Sequence, residues 1–384
     1  MRNVLLVAAE NSAETYAAQV LDEFAARGGG YRFWGVGGDR LAARGFETVM
    51  HNRSLAVVGI VEVIAHLGRI HRLMRRLLRL ARQRRADAAL LIDFPDFNLR
   101  LARRLRRAGI PVYYYVSPTV WAWRYGRVRT IRRWVDRLFI LFPFEEAIYR
   151  REHVTYTYVG HPLAAEVRPG EDRDAFRRRH GVNEGEAVLA LLPGSRESEV
   201  SRLLPDMLAA VAQLRRDRRL RVFLLRARNI RPELLAAAVA EPGIRVLEQE
   251  QGYDLLHAAD AVITACGTST LEAALLGAPF VVLYKVNPLT YFLGHRFLRI
   301  NLYSIVNILA GKPVAVELIQ GECRPGRIAG ETRRILDDPR RREEMRAEFR
   351  RIAASLQQQE RPAAIVCRQI KQDLEGKEAN NRDA

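Results

Sequence analysis

The sequence predicts an α/β protein built from two doubly wound domains, and three observations lead there. Short apolar runs alternate with amphipathic helical stretches along nearly the whole chain, the pattern of parallel sheets covered on both faces. A length of 384 residues is enough for two separate cores. A charged, turn-rich stretch, VRPGEDRD, follows Gly160-His161-Pro162 and interrupts the alternation as a linker would.

In the first half the expected strands are Val4 to Ala9, Tyr31 to Val36, Ala88 to Ile92, Pro111 to Val116, Arg137 to Leu141 and Thr155 to Val159. Helices such as Glu14 to Ala26 and Leu99 to Ala108 lie between them. In the second half the strands are Ala187 to Leu192, Arg221 to Leu225, Gly243 to Leu247, Ala261 to Thr264 and Phe280 to Tyr284. The expected division is residues 1–165 for the first domain and 166–354 for the second. The tail 377–384, with no apolar face, is expected to be disordered.

Composition narrows the classes of function. A formal net charge of +18 favours association with polyanions, whether nucleic acid, anionic lipid or phosphorylated substrates. No apolar run approaches the roughly 18 to 20 residues of a membrane span, and the polar Glu10, Asn11 and Glu14 follow the first apolar run too closely for an export signal. Three widely spaced cysteines, Cys266, Cys323 and Cys367, argue against a disulfide framework or a zinc cluster and for a reducing compartment. Neither a metal site nor a cofactor motif is expected.

Two strand-turn-helix units of the second half have the chemistry of anion sites. In AVITACGTSTLEAALLGAP, Gly267 permits the turn and Thr268, Ser269 and Thr270 crowd the start of a helix that Gly277 and Pro279 end. Free N–H groups and hydroxyls there, beyond the carboxyl end of a parallel strand, suit a diphosphate. Glu272 completes S-x-x-E with Ser269, which reads either as a capping box or as a carboxylate for ribose hydroxyls. In LALLPGSRESEV, Gly194 turns the chain, Ser195 is a possible N-cap, and Glu197 and Glu199 suit the helix dipole. Arg196 opposes that dipole, which points to a role in neutralising phosphate.

The first half presents carboxylates and aromatics instead. LLIDFPDFNLRLA ends a strand with Asp93, Asp96 and Asn98; Asp96 or Asn98 could cap the next helix, or a carboxylate could act as general base on a hydroxyl. Ser117-Pro118 follows a strand, and Trp121 and Trp123 stand in a basic setting. Stacking on nucleic-acid bases is the alternative there, although no recognised nucleic-acid module matches the chain. The first turn, VAAENSAET, contains no glycine; Asn11 or Ser12 can cap its helix, which leaves Glu10 to face a cleft. Residues 66–85 form a basic amphipathic helix that covers the sheet or lies on an anionic membrane. The aromatic, leucine-rich stretch 288–311 is a candidate for holding acyl chains.

Taken together, GVGGDRLAARGFE, LAVVGIVEV, IDFPDFNLRLA, YYVSPTVWAWR, LFPFEEAIY, VGHPL, LLPGSRESEV, ACGTSTLEAALLGAP and LYSIVNILAGKPVAVELIQGECRP resemble, in this order, the lipid-A-disaccharide synthase family. The resemblance implies a GT-B fold, two Rossmann-like domains facing a cleft, with the last helix, at about 355–376, crossing back onto the first domain. It implies an inverting, metal-independent hexosyltransferase that needs no cofactor. Its substrates would be UDP-2,3-diacylglucosamine and 2,3-diacylglucosamine 1-phosphate, joined β-1,6 with release of UDP.

By the same resemblance Asp96 is the base and Arg196 binds the diphosphate, with Gly194, Ser195, Gly267, Thr268 and Ser269 as donors. Glu272 holds the ribose and Asn307 lies close to the donor sugar. Glu10, Ser12, Asp93, Asn98, Ser117 and Trp121 fall on the acceptor side. The expected setting is the cytoplasmic face of the inner membrane, bound peripherally, with no nucleic-acid partner; the oligomeric state is not legible. Where the family usually has Gly-Glu-x-Ser-Gly-Asp, this chain reads Ala9-Glu10-Asn11-Ser12-Ala13-Glu14, and Cys266 stands where serine is commoner. Two rivals remain: a UDP-sugar 2-epimerase of the same fold, and a non-catalytic binder of anionic lipid or nucleic acid.

Overall fold

The computed structural model describes residues 1–54, 60–288, 291 and 301–382. It divides into two compact units, Met1–Pro162 with Leu356–Ala384, and Leu163–Ser355.

The first unit holds a seven-stranded sheet of order β3-β2-β1-β4-β5-β6-β7. The strands are β1 (Arg2–Ala8), β2 (Tyr31–Gly37), β3 (Glu47–His51), β4 (Ala88–Ile92), β5 (Val112–Tyr115), β6 (Arg137–Ile140) and β7 (Tyr156–Tyr158). Every pairing is parallel. The central strands are apolar on both faces because helices cover both; all five residues of β4 are buried.

One face is covered in part by helix Ile60–Gln83, which buries Leu73, Met74, Leu77 and Ala81 and turns Arg72, Arg75, Arg76, Arg79 and Arg82 outward. The covering role of this basic helix is thus realised. On the other face, helix Asn11–Ala26 packs with the last helix, Pro362–Arg382, whose Val366, Cys367 and Ile370 lie in the same core as Ala17, Val20 and Phe24. Arg137 locks that last helix to the sheet by a two-pronged pair with Asp373, at 2.7 and 3.0 Å. The expected disordered tail is instead helical as far as Arg382, since adding Lys, Glu and Ala to an existing helix costs little compared with nucleating one.

The second unit holds a six-stranded parallel sheet of order β10-β9-β8-β11-β12-β13. Its strands are β8 (Ala187–Leu192), β9 (Leu220–Arg226), β10 (Ile244–Glu248), β11 (Ala261–Ala265), β12 (Phe280–Tyr284) and β13 (Glu317–Ile319). β3 and β13 were not expected from the sequence. Both are edge strands and only partly buried, so neither has the continuous apolar run that marked the others.

Both strand orders reverse direction once, between β1 and β4 and between β8 and β11. At such a switch point the connections leave toward opposite faces and open a crevice at the carboxyl ends of the strands. The Arg137–Asp373 pair is bidentate and four-fifths shielded from solvent. Asp373→Ala is expected to lower the stability of the chain by about 1–3 kcal/mol, read by urea denaturation.

Candidate functional site

The crevice of the second unit is a cavity of about 650 Å³, lined by the turn after β8 and the turn after β11 and walled by Tyr253, Arg228 and Gln249. Its size is that of a site for a small organic ligand. The turn after β8 depends on Gly194, held at φ +119°, where a Cβ would also stand 2.6 Å from Glu199 Oε2. Helix Glu197–Leu214 follows with Arg196, not Ser195, at the N-cap. Glu199 explains the difference. Its Oε2 accepts from the N–H groups of Ser195 and Arg196, both at 3.3 Å, and its Oε1 accepts from the Arg196 guanidinium at 2.8 Å. The carboxylate satisfies the two N–H groups that lead into the helix and pairs the cation that would oppose the dipole.

The turn after β11 leads into helix Thr268–Leu275, capped by the backbone of Gly267. A Cβ on Gly267 would meet no atom within 4 Å, so glycine here keeps cavity space open. The Ser269–Glu272 capping box does not form. Ser269 lies inside the helix, with its hydroxyl on Thr264 and on the Ala265 carbonyl. Glu272 instead takes a long contact from the Tyr253 hydroxyl, 3.4 Å away, and burial raises its carboxyl above the usual range. Gly277 follows the helix at φ +71°, as the sequence indicated. Burial together with the Glu317 and Glu199 carboxylates pushes the Cys266 thiol up to about 12, which leaves it an uncharged, unreactive group in the wall.

Asn307 is not a lining residue of this cavity. Its side chain is buried and fully used: it accepts from the N–H groups of Val314 and Ala315 and donates to the Ala315 carbonyl and to Glu317. Four bonds to the segment 314–317 leave no group to offer a ligand. Of the aromatic stretch 288–311, residues 289–290 and 292–300 lie outside the described residues.

In the first unit the carboxyl ends of β1, β4 and β5 carry Glu10, Asp93 and Ser117. Asp93 and Phe94 are consecutive non-glycine residues in the left-handed region, at φ 51° and 48°. The strained turn is held by its own carbonyl: Asp93 O accepts from Tyr114 Oη at 2.6 Å and from Asn98 Nδ2 at 2.7 Å. Neither Asn98 nor Asp96 caps the following helix, Pro95–Arg107, because Phe94 occupies the N-cap and Pro95 the first turn. Asn98, fully buried, clamps the end of β4 by donating to Ile92 O as well. Burial and the nearby Glu10 carboxylate push the Asp93 carboxyl up to about 6. Asp96 is exposed and pairs through Oδ1 with Arg124 at 2.8 Å and Arg127 at 2.7 Å.

Glu10 is the N-cap of helix Asn11–Ala26 without a side-chain capping bond, and both Glu10 and Ser12 are exposed. Ser117 is buried, 2.5 Å from the Tyr149 hydroxyl. Beside it Glu145, also buried, is pushed up to about 7 by desolvation, against the pull of the Ser117 hydroxyl and the N–H groups of Phe142 and Leu141. Trp121 packs edge-on against Phe144 with ring centres 5.4 Å apart. Glu145, Tyr149, Tyr253, Arg124 and Arg127 had drawn no reading from the sequence. The motifs FPFEEAIY and WAWRYGR contain four of them, but burial and pairing are not visible in a motif.

Two substitutions test this geometry. Gly194→Ala is expected to cost about 1–3 kcal/mol and to weaken binding of a nucleoside diphosphate, read by thermal denaturation and calorimetry. Asp93→Asn should stabilise the protein at neutral pH. A carboxyl raised to about 6 when folded loses stability as pH climbs from about 4 to about 6. Removing it recovers of order 1–3 kcal/mol at pH 7 and nothing below pH 4.

A family model described as Lipid-A-disaccharide synthetase matches residues 4–370. A lipid-A-disaccharide synthase of Myxococcus xanthus is 43% identical over 344 residues, 89% of this chain and 90% of that one. That of Geobacter sulfurreducens is 43% identical over 346 residues, again covering 90% of each chain. Among solved structures, the glycosyltransferase of kitacinnamycin covers 97% of this chain and 99% of its own, with a TM-score of 0.64 at 16% identity. MurG of Acinetobacter baumannii covers 97% and 100%, with a TM-score of 0.57 at 15% identity. These structures establish the GT-B type of fold, and the sequence relatives establish more: the chain belongs to the lipid-A-disaccharide synthase family.

Proposed function

We propose that the chain transfers a 2,3-diacylglucosaminyl group from UDP to the 6-hydroxyl of 2,3-diacylglucosamine 1-phosphate, with inversion and without a metal. The observation that carries the reading is the cavity between the β8 and β11 turns, where a guanidinium and two helix starts converge. UDP departs as an anion. Arg196, Thr268 and Ser269 line this cavity, which supports a role for the guanidinium and the two N–H groups in meeting charge that grows in the transition state. Glu272, drawn out of the capping role and set beside Tyr253, suits ribose hydroxyls. Gln249 and Arg228 in the cavity wall offer polar groups to a nucleobase.

The attacking hydroxyl needs a proton acceptor. Asp96 already engages two arginines through Oδ1, so that oxygen is occupied. Asp93 has a carboxyl raised to about 6, close to the ideal for a base near neutrality, and its strained turn aims it from the strand end. We assign proton acceptance to Asp93 and the holding of arginines to Asp96. Both substrates would be acylated and anionic, which fits a chain of net charge +18 with an arginine-covered helix. No helix among the described residues is long and apolar enough to cross a membrane. Peripheral attachment to the cytoplasmic face of the inner membrane is the arrangement we infer.

The purified protein, given the two acylated substrates, is expected to release UDP and a disaccharide; a folded protein that forms neither overturns the reading. The wild-type kcat/KM should fall below a pH of about 6. Asp93→Asn should lower turnover by about 100-fold or more and abolish that limb. Asp96→Asn should retain the limb while weakening turnover. The reverse pattern would return the base role to Asp96.

A further inference from the structure

Asp96 is outnumbered. Arg124 and Arg127 both bond to its Oδ1, and Oδ2 accepts no hydrogen bond among the described residues, so the group has an excess positive charge. The two guanidinia are also held against one ring. Their central carbons lie 4.4 and 5.2 Å from the centre of the Trp123 indole, whose Nε1–H is fixed on Thr119 Oγ1 at 3.1 Å. Arg124 pays for its place with a left-handed backbone, φ 50°. Ion pairs to an exposed carboxylate contribute little to stability, so holding two like charges side by side against one ring needs another reason.

We propose that Arg124 and Arg127 form the subsite for the phosphomonoester of the acceptor sugar, with Asp96 as their counterion in the ligand-free protein. This rests on the reading of the acceptor given above. A phosphomonoester has three terminal oxygens and close to two negative charges, so it can engage two planar forks together and compete with a single carboxylate. Arg127 is suited to the task because its side chain is only 12% exposed and already oriented, so little freedom is lost on binding. Asp96 lies three residues beyond Asp93, and Arg124 and Arg127 lie on the chain that follows β5, so the subsite stands at the same end of the sheet as the proposed base. In the reading given above the diphosphate of the donor falls to other residues, those lining the cavity of the second unit.

The test uses the whole protein in nonionic detergent, so that no bilayer phosphate is present. The acceptor and its dephosphorylated counterpart are compared in the wild type, Arg127→Gln, Arg124→Gln and Arg127→Lys, with UDP binding as the control for folding. The wild type should prefer the phosphorylated acceptor by about 10- to 100-fold in kcat/KM. Arg127→Gln should remove most of that preference, chiefly through KM, while leaving the dephosphorylated acceptor within about threefold of wild type; Arg127→Lys should recover part of it. An equal loss on both acceptors, no preference in the wild type, or a defect seen only on phosphatidylglycerol vesicles overturns the subsite. If no disaccharide forms at all, it is the functional reading that fails. Calorimetry with glucosamine 1-phosphate then decides the subsite alone: binding by the wild type that Arg127→Gln abolishes supports it, and no binding overturns it.

Discussion

Everything chemical in this protein depends on parallel strand pairing at two points, β1 with β4 and β8 with β11. In each pair the register runs without interruption, Val4 to Ala8 beside Ala88 to Ile92, and Ala261 to Thr264 beside Leu189 to Leu192. Parallel strands deliver their following turns to one edge, and at a switch point those turns diverge and leave a crevice. Glu10 and Asp93 therefore come within electrostatic reach although 83 positions separate them in sequence. The turns at Gly194 and Gly267 meet in the same way around one cavity.

Each unit has arginine held by a carboxylate near the carboxyl ends of its strands. Arg196 leans on Glu199, and Arg124 and Arg127 lean on Asp96. In each case the acid lies on the first turn of a helix, where its own charge is favoured by the free N–H groups. A guanidinium kept in position by a neighbour loses less freedom when an anion arrives, and the carboxylate can be left behind on its helix without becoming an isolated charge. Preorganised cations of this kind are how a site stabilises developing negative charge without rearranging at the moment of reaction.

The sequence disclosed the central strands and the turns between them, because burial on both faces writes itself as an apolar run. It did not disclose β3 and β13, which are edges with a solvated side. Helix caps were the other failure. Ser195, Ser269, Asp96 and Asn98 all had the right chemistry to cap, and none does. A cap requires a particular backbone conformation, and the positions were taken by Arg196, by Gly267 and by the left-handed Phe94. Asn307 shows the same limit from the other side: a polar residue in a promising stretch is consumed by the carbonyl and N–H groups of Val314 and Ala315. Glu145 was invisible because nothing in Glu-Glu-Ala says which acid is buried.

The unusual first turn is better read as packing than as altered chemistry. Ala9 and Ala13, where relatives of this family usually have glycine, are both fully enclosed, so their methyl groups fill core space. Alanine also gives the helix Asn11–Ala26 a stiffer start than glycine would. Glu14, one methylene longer than the usual aspartate, reaches the Arg40 N–H at 2.9 Å and Asn52 Nδ2 at 2.8 Å, tying this helix to the segments on either side of β3. None of these three residues removes Glu10 from the end of β1. The group that faces Asp93 is retained while the scaffold behind it is packed differently, so the departures alter how the turn is held and leave its carboxylate in place.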